Sequence, residues 1–170
     1  PKNPIIGYRS YGQDVENVTR KAMMYALGMQ EENILPTAKH FPGHGDTEKD
    51  SHKTLPVIPF DKTRLDSLEI MPFHRLIYAG VGGIMVGHLD VPALDSTGTP
   101  ASLSKPITGK LLHDELEFQG LTVTDAMNMN GAKVDGRPGT ADVMALAAGN
   151  DMLEFVTDPK AAIKAIEKAV

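Results

Sequence analysis

The 170-residue chain has no cysteine. That excludes disulfides, thiolate-ligated zinc and a thiol nucleophile, and it leaves the redox compartment open. No apolar run is long enough to cross a bilayer, and the first residues carry no signal-peptide pattern. Charge of one sign is not concentrated anywhere. The 17 Lys and Arg and 22 Asp and Glu are interspersed, for a net charge of -5. No basic stripe or basic amphipathic helix is left to attract nucleic acid or a membrane surface. Several catalytic signatures are also missing: G-x-G-x-x-G, the phosphate-binding P-loop, H-E-x-x-H and G-x-S-x-G. The chain opens Pro-Lys-Asn-Pro, without Met, and runs at once into an apolar segment. This reads as a point inside a longer polypeptide.

What is present is ordinary in bulk, 41% hydrophobic and 23% charged, as in soluble globular domains. Short apolar runs read as strands buried on both faces. They are 4–7, 34–38, 83–86, 121–124 and, more weakly, 151–155. Helical patterns separate them, at 14–29, 66–79 (with Pro72 an irregularity), 104–118, 139–149 and 159–170. Strand and helix alternating in this way predict a parallel α/β protein. Polar residues recur just after the strands: Arg9, Lys39, His40, His88 and Asp125. Strand C-termini and the loops that follow them build the active site of a (β/α)8 barrel. Such a barrel needs roughly 250 residues, at about 30 per βα unit. The chain therefore holds half to five-eighths of one, a single partial barrel domain over 1–170 whose exposed strand edges call for a second chain or segment, or for self-association.

Chemistry concentrates in residues 37–52, Thr-Ala-Lys-His-Phe-Pro-Gly-His-Gly-Asp-Thr-Glu-Lys-Asp-Ser-His. Asp50 and His52, two apart, point the same way if the backbone is extended. A carboxylate beside an imidazole fixes its tautomer and raises its pKa, so the ring can both give and take a proton near neutrality. The same pair could be a casual contact in a surface loop. Pro42, Gly43 and Gly45 suit a loop that turns sharply and closes over a substrate. His40, His44 and His52 with Asp46 or Asp50 could ligate a metal, but His40 and His44 lie across Pro42 and Gly43 rather than on one helical turn. Asp125, directly after the 121–124 run, is placed either to act on a substrate or to cap the next helix. Lys39, His40 and Arg9 can donate hydrogen bonds to sugar hydroxyls or serve as ordinary rim and surface residues. His88 can line a pocket or brace the rim.

These residues resemble a known family. Lys39-His40-Phe41-Pro42-Gly43-His44-Gly45-Asp46-Thr47, followed by Asp50-Ser51-His52 and Leu55-Pro56, resembles the hallmark of family 3 glycoside hydrolases, in particular the bacterial β-N-acetylglucosaminidase branch. Segments 5–12, 83–95 and 100–129 agree in the same order. The resemblance implies a (β/α)8 barrel, or a close variant, of which this chain is the C-terminal part. It implies Asp125 as nucleophile, Asp50 and His52 as an acid/base dyad, and Arg9, Lys39 and His40 as holders of the N-acetylglucosamine ring. It further implies a carbohydrate substrate, commonly peptidoglycan fragments, with no metal or cofactor. Whether the parent is cytoplasmic or exported to the envelope stays open.

Overall fold

A computed structural model describes residues 3, 6–47 and 55–170. Three parallel strands form its sheet, β1 (Thr37–Phe41), β2 (Gly83–Val86) and β3 (Leu121–Thr124), in the order β1-β2-β3. Thr37 pairs with Gly83 and Gly83 with Leu121, so the three strands start level. The register shifts once, between Lys39 and Phe41. The peptides Lys39–His40 and Phe41–Pro42 are cis.

Helices carry the chain back between strands. α1 (Val15–Glu31) starts where the Asp14 carboxylate accepts the Asn17 N–H at 2.8 Å, which satisfies one of the free donors of its first turn. α2 (Met71–Tyr78) packs against α1. The segment before α2 is less regular than its apolar period predicts. Asp61 caps a single turn over Lys62–Arg64, and Leu65–Glu69 then forms a wider turn closed by Ile70 N–H to Leu65 C=O at 2.8 Å. Pro72 has no N–H to give the preceding turn, so the chain widens there instead of running as one helix. Between β2 and β3 lies a π-helix, Lys105–Glu115, capped by Ser104, whose hydroxyl accepts the Ile107 N–H. α3 (Thr140–Ala148) and α4 (Pro159–Ala169) follow β3 and pack on each other.

β2 is the centre of the core. Ile84 and Val86 are fully buried, as are Phe41, Ile107 and Leu112, and Phe73 and Leu76 of α2 close over them. A second cluster of Leu103, Met127, Ala132 and Ala145 sits under α3. The parallel sheet with helices packed against it is the arrangement the sequence predicts, although only β2 is apolar throughout: β1 exposes Thr37 and Lys39, and β3 buries Thr122 and Thr124.

Three of the expected strands differ in detail. The run at 34–38 becomes a strand only from Thr37, because Ile34 N–H is spent closing the end of α1 on Met29 C=O and Pro36 has no N–H to pair. Ile34 and Leu35 are accordingly exposed. Of the run at 4–7, Pro4 and Ile5 lie outside the described residues, while Ile6 leads into a 3-10 turn, Gly7–Arg9. The run at 151–155 reaches the sheet through one bridge, Val123 to Met152. It then turns away at Phe155, whose φ of 48° is incompatible with continued pairing.

Candidate active site

All three strands point their C-terminal ends the same way, so residues distant in sequence meet at one edge. His40 arrives on β1, His88 just beyond β2 and Asp125 directly after β3. The close pair is His40 and Asp125, with Nε2 3.8 Å from Oδ2. Asp125 is pinned by its own backbone surroundings. Its N–H donates to Val86 C=O at 2.8 Å, and its Oδ1 accepts the Ala126 N–H at 2.9 Å. One carboxylate oxygen is therefore held by the chain, and the other faces His40.

His40 is 6% exposed, and its Nδ1 is buried without a hydrogen-bond partner. Burial pushes its pKa down to about 4. The Asp125 carboxylate pulls the other way, while His44, Lys39 and Arg9 add to the lowering. The imidazole is thus neutral near pH 7. Lys39 and Arg9 are both exposed at this edge, close enough for their charges to act on His40. Arg9 comes from the 3-10 turn rather than from a strand end. Arg9, Lys39, His40 and Asp125 of the sequence-derived set therefore converge. Asp50 and His52 lie outside the described residues.

His44 and Asp46 lie at the start of the glycine-rich loop. His44 is buried, stands edge-on to His40 with ring centroids 5.6 Å apart, and its Nδ1 lies 2.8 Å from Thr47 Oγ1. Asp46 is gripped by Arg64 at 2.9 Å, and the same guanidinium holds the buried Glu69 at 3.0 Å while lying over the Phe60 ring at 4.0 Å. Burial pushes the Glu69 carboxyl up against the opposing pull of Arg64. Sequence reasoning missed Glu69, which sits inside a helical pattern with nothing local to mark it. Among the described residues no group of three or more His, Asp or Glu is arranged to hold a metal ion.

A cavity of about 750 Å³ lies between α1, α2 and the side of β1 that no described strand pairs. Apolar residues of α1, including Val15, Val18 and Ala22, form one wall, and Lys39 and His40 are on the opposite wall. Asp125 does not line it. The cavity belongs to the open flank of β1 and takes in Lys39 and His40, whereas Asp125 stands outside its lining, directly after β3.

The parallel α/β fold with its reactive edge is that of a glycoside hydrolase domain, and the chain belongs to glycosyl hydrolase family 3: the model of that family's N-terminal domain matches residues 1–170. Among solved structures, a family 3 beta-N-acetylglucosaminidase from Paenibacillus sp. str. FPU-7 is 42% identical with a TM-score of 0.94, covering 100% of this chain and 33% of that one. A beta-glucoside phosphorylase, BglX, bound to 2FGlc, is 30% identical with a TM-score of 0.94, covering 100% and 32%. Beta-hexosaminidase A of Pseudoalteromonas piscicida is 36% identical over 163 residues, 89% of this chain and 27% of that protein. The chain thus spans about a third or less of each of these relatives' length.

Proposed function

We propose that this chain is the C-terminal half to five-eighths of a (β/α)8 catalytic barrel, one partial domain over 1–170, in a retaining enzyme that releases terminal β-linked N-acetylglucosamine. Peptidoglycan fragments are the proposed source. The observation that carries the reading is the Asp125 carboxylate, with one oxygen fixed by the Ala126 N–H and the other turned toward the neutral His40 at the strand tips. In a barrel enzyme that edge is where chemistry is done.

In this reading Asp125 Oδ2 attacks the anomeric carbon as the bond to the leaving oxygen breaks, giving a covalent glycosyl-enzyme. His52, held by Asp50, delivers its proton to the leaving oxygen. It then takes a proton from water, and the resulting nucleophile displaces Asp125 with net retention. An imidazole needs little tuning for this work near neutrality, whereas a carboxylic acid would need burial to hold its proton. Arg9, Lys39 and His40 grip the sugar ring. The His40 Nδ1, buried and unpaired, supports that role, because an unsatisfied polar atom in a site is costly until a ligand meets it. The remaining strands, supplied by another segment or chain, complete the pocket.

The test replaces Asp125 by Ala in the full-length parent and follows release of nitrophenol from its N-acetylglucosaminide. Turnover should fall by at least about 10³-fold, and added azide should restore part of it as the glycosyl azide of inverted configuration. Substantial hydrolysis without azide would put the nucleophile elsewhere.

A further inference from the structure

His88 lies on the central strand's extension, 1% exposed, and takes no part in the proposed chemistry. Its two ring nitrogens are both engaged. Nε2 is 3.1 Å from the Ala126 carbonyl oxygen, and Nδ1 is 2.7 Å from Ser102 Oγ. A carbonyl only accepts, so Nε2 must carry the hydrogen. Burial favours the neutral ring, with a pKa below the ordinary histidine value. A neutral imidazole has a single N–H, so Nδ1 is bare and accepts from the Ser102 hydroxyl.

Ser102 is itself held. Its N–H donates to Gly87 C=O at 3.3 Å, and its C=O accepts Asn150 Nδ2 at 2.8 Å. Asn150 also donates to Ala145 C=O, anchoring this chain of bonds to α3. The line runs Asn150, Ser102, His88, Ala126, and all three of its side-chain members are buried.

Ala126 is the end that matters. Its carbonyl is shared by His88 Nε2 and the Met129 N–H at 3.0 Å, the Met127 N–H of the same peptide donates to Glu154 C=O at 2.8 Å, and its own N–H is taken by the Asp125 carboxylate. Both peptide groups flanking the Ala126 Cα are therefore fixed, and His88 is the one side chain that holds the carbonyl. Without the imidazole the carbonyl would rest on the Met129 N–H alone, and the peptide could tilt on its backbone bonds, carrying with it the N–H that holds Asp125 Oδ1. We infer that His88 is a positioning residue, which aims the Asp125 carboxylate by locking the Ala126 peptide from behind. The inference rests on Asp125 being the nucleophile.

A misplacement of about 1 Å at a reacting atom costs on the order of 10²-fold in rate. In the full-length parent, His88→Leu should lower kcat by roughly that factor and change KM by less than about threefold. Glutamine, whose side-chain amide can reach the position of Nε2, should recover about tenfold of the loss in His88→Gln. Ser102→Ala, which only frees the tautomer, should lose less than His88→Leu. The decisive comparison is a double-mutant cycle in the azide-rescued Asp125→Ala enzyme, where no carboxylate is left to aim. There His88→Leu should change the azide rate by less than about twofold. A His88→Leu kcat within twofold of the parent overturns the inference, as does an equal loss in the azide-rescued background. If His88→Leu does not fold, Ser102→Ala and His88→Gln decide: neither one altering kcat overturns it. Asp125→Ala retaining full activity would instead overturn the nucleophile assignment, so the two failures are separable.

Discussion

The imidazole of His40 stands 3.8 Å from the carboxylate of Asp125, and it stands there uncharged. Two groups of opposite formal charge at that distance would ordinarily be an ion pair. Here burial outweighs the attraction, and the neighbouring Lys39, His44 and Arg9 reinforce it. The result is a neutral ring rather than a cation beside the proposed nucleophile.

A pH dependence of stability follows. The folded-state pKa of His40 is about 4 and the unfolded value is about 6.5. Between these limits the unfolded state binds the proton and the folded state does not, so stability falls as pH drops from about 6.5 to 4. The His40 contribution to that loss is about 3 kcal/mol. Thermal unfolding of the full-length parent between pH 4 and 7 should become flatter in His40→Gln. An unchanged slope would mean that the histidine is charged in the folded enzyme.

Arg64 is the counter-charge that opposes the upward push of burial on the Glu69 carboxyl. Replacing it, as Arg64→Met, leaves a buried carboxylate without its partner. The cost should be about 2 to 4 kcal/mol at pH 7. Because the folded Glu69 carboxyl already titrates above its ordinary range, lowering the pH neutralises it in the folded state first. The penalty should therefore shrink by pH 4.5, and adding Glu69→Gln should recover most of it at pH 7. Urea midpoints at the two pH values would test both statements.

Gly139 begins α3 at φ 88°, and a Cβ there would come 2.6 Å from Ala165 Cβ and 2.9 Å from Ala161 C=O. Gly139→Ala combines a left-handed backbone with a clash into α4. We expect a loss of about 2 to 4 kcal/mol, read as a lowered urea midpoint, with KM for the nitrophenyl substrate unchanged.

Substrate choice separates this chain's reading from that of its phosphorylase relative. The full-length parent should turn over nitrophenyl N-acetylglucosaminide in preference to the plain glucoside, with retention at the anomeric carbon. Preference for the glucoside, or acceleration by inorganic phosphate with release of a sugar phosphate, would reassign it. If further strands complete the pocket as proposed, the 170-residue chain alone should show no full turnover.

The alternation of apolar runs and helical patterns was enough to read a parallel α/β fold, because buried strands and amphipathic helices leave distinct periods in sequence. The convergence of Lys39, His40 and Asp125 at one edge was legible for the same reason: in parallel topology every strand end is on the same side, whereas Arg9 reaches that edge from a 3-10 turn. Less was visible where a tertiary contact overrode local pattern. Ile34 and Leu35 read as part of a strand, but the Ile34 N–H closes the end of α1 and Leu35 stays exposed ahead of Pro36. His88 read either as a pocket-lining residue or as a brace of the rim, and its partners Ser102 and Ala126 lie 14 and 38 positions away, beyond the reach of any local pattern. Glu69 and Arg64 pair across the widened turn at Leu65–Glu69, which the apolar period of that segment does not announce.

Parallel pairing also separates what must be conserved in length from what is free to vary. His40, His88 and Asp125 are delivered by strands whose starts are level, while the helices joining those strands run around the outside. An insertion in one of those outer crossovers shifts residue numbers without shifting any reactive atom. A single residue added within a strand would instead turn its alternate side chains to the opposite face. Divergence in this scaffold should accumulate as helix and loop length, with the rungs between the strands kept fixed.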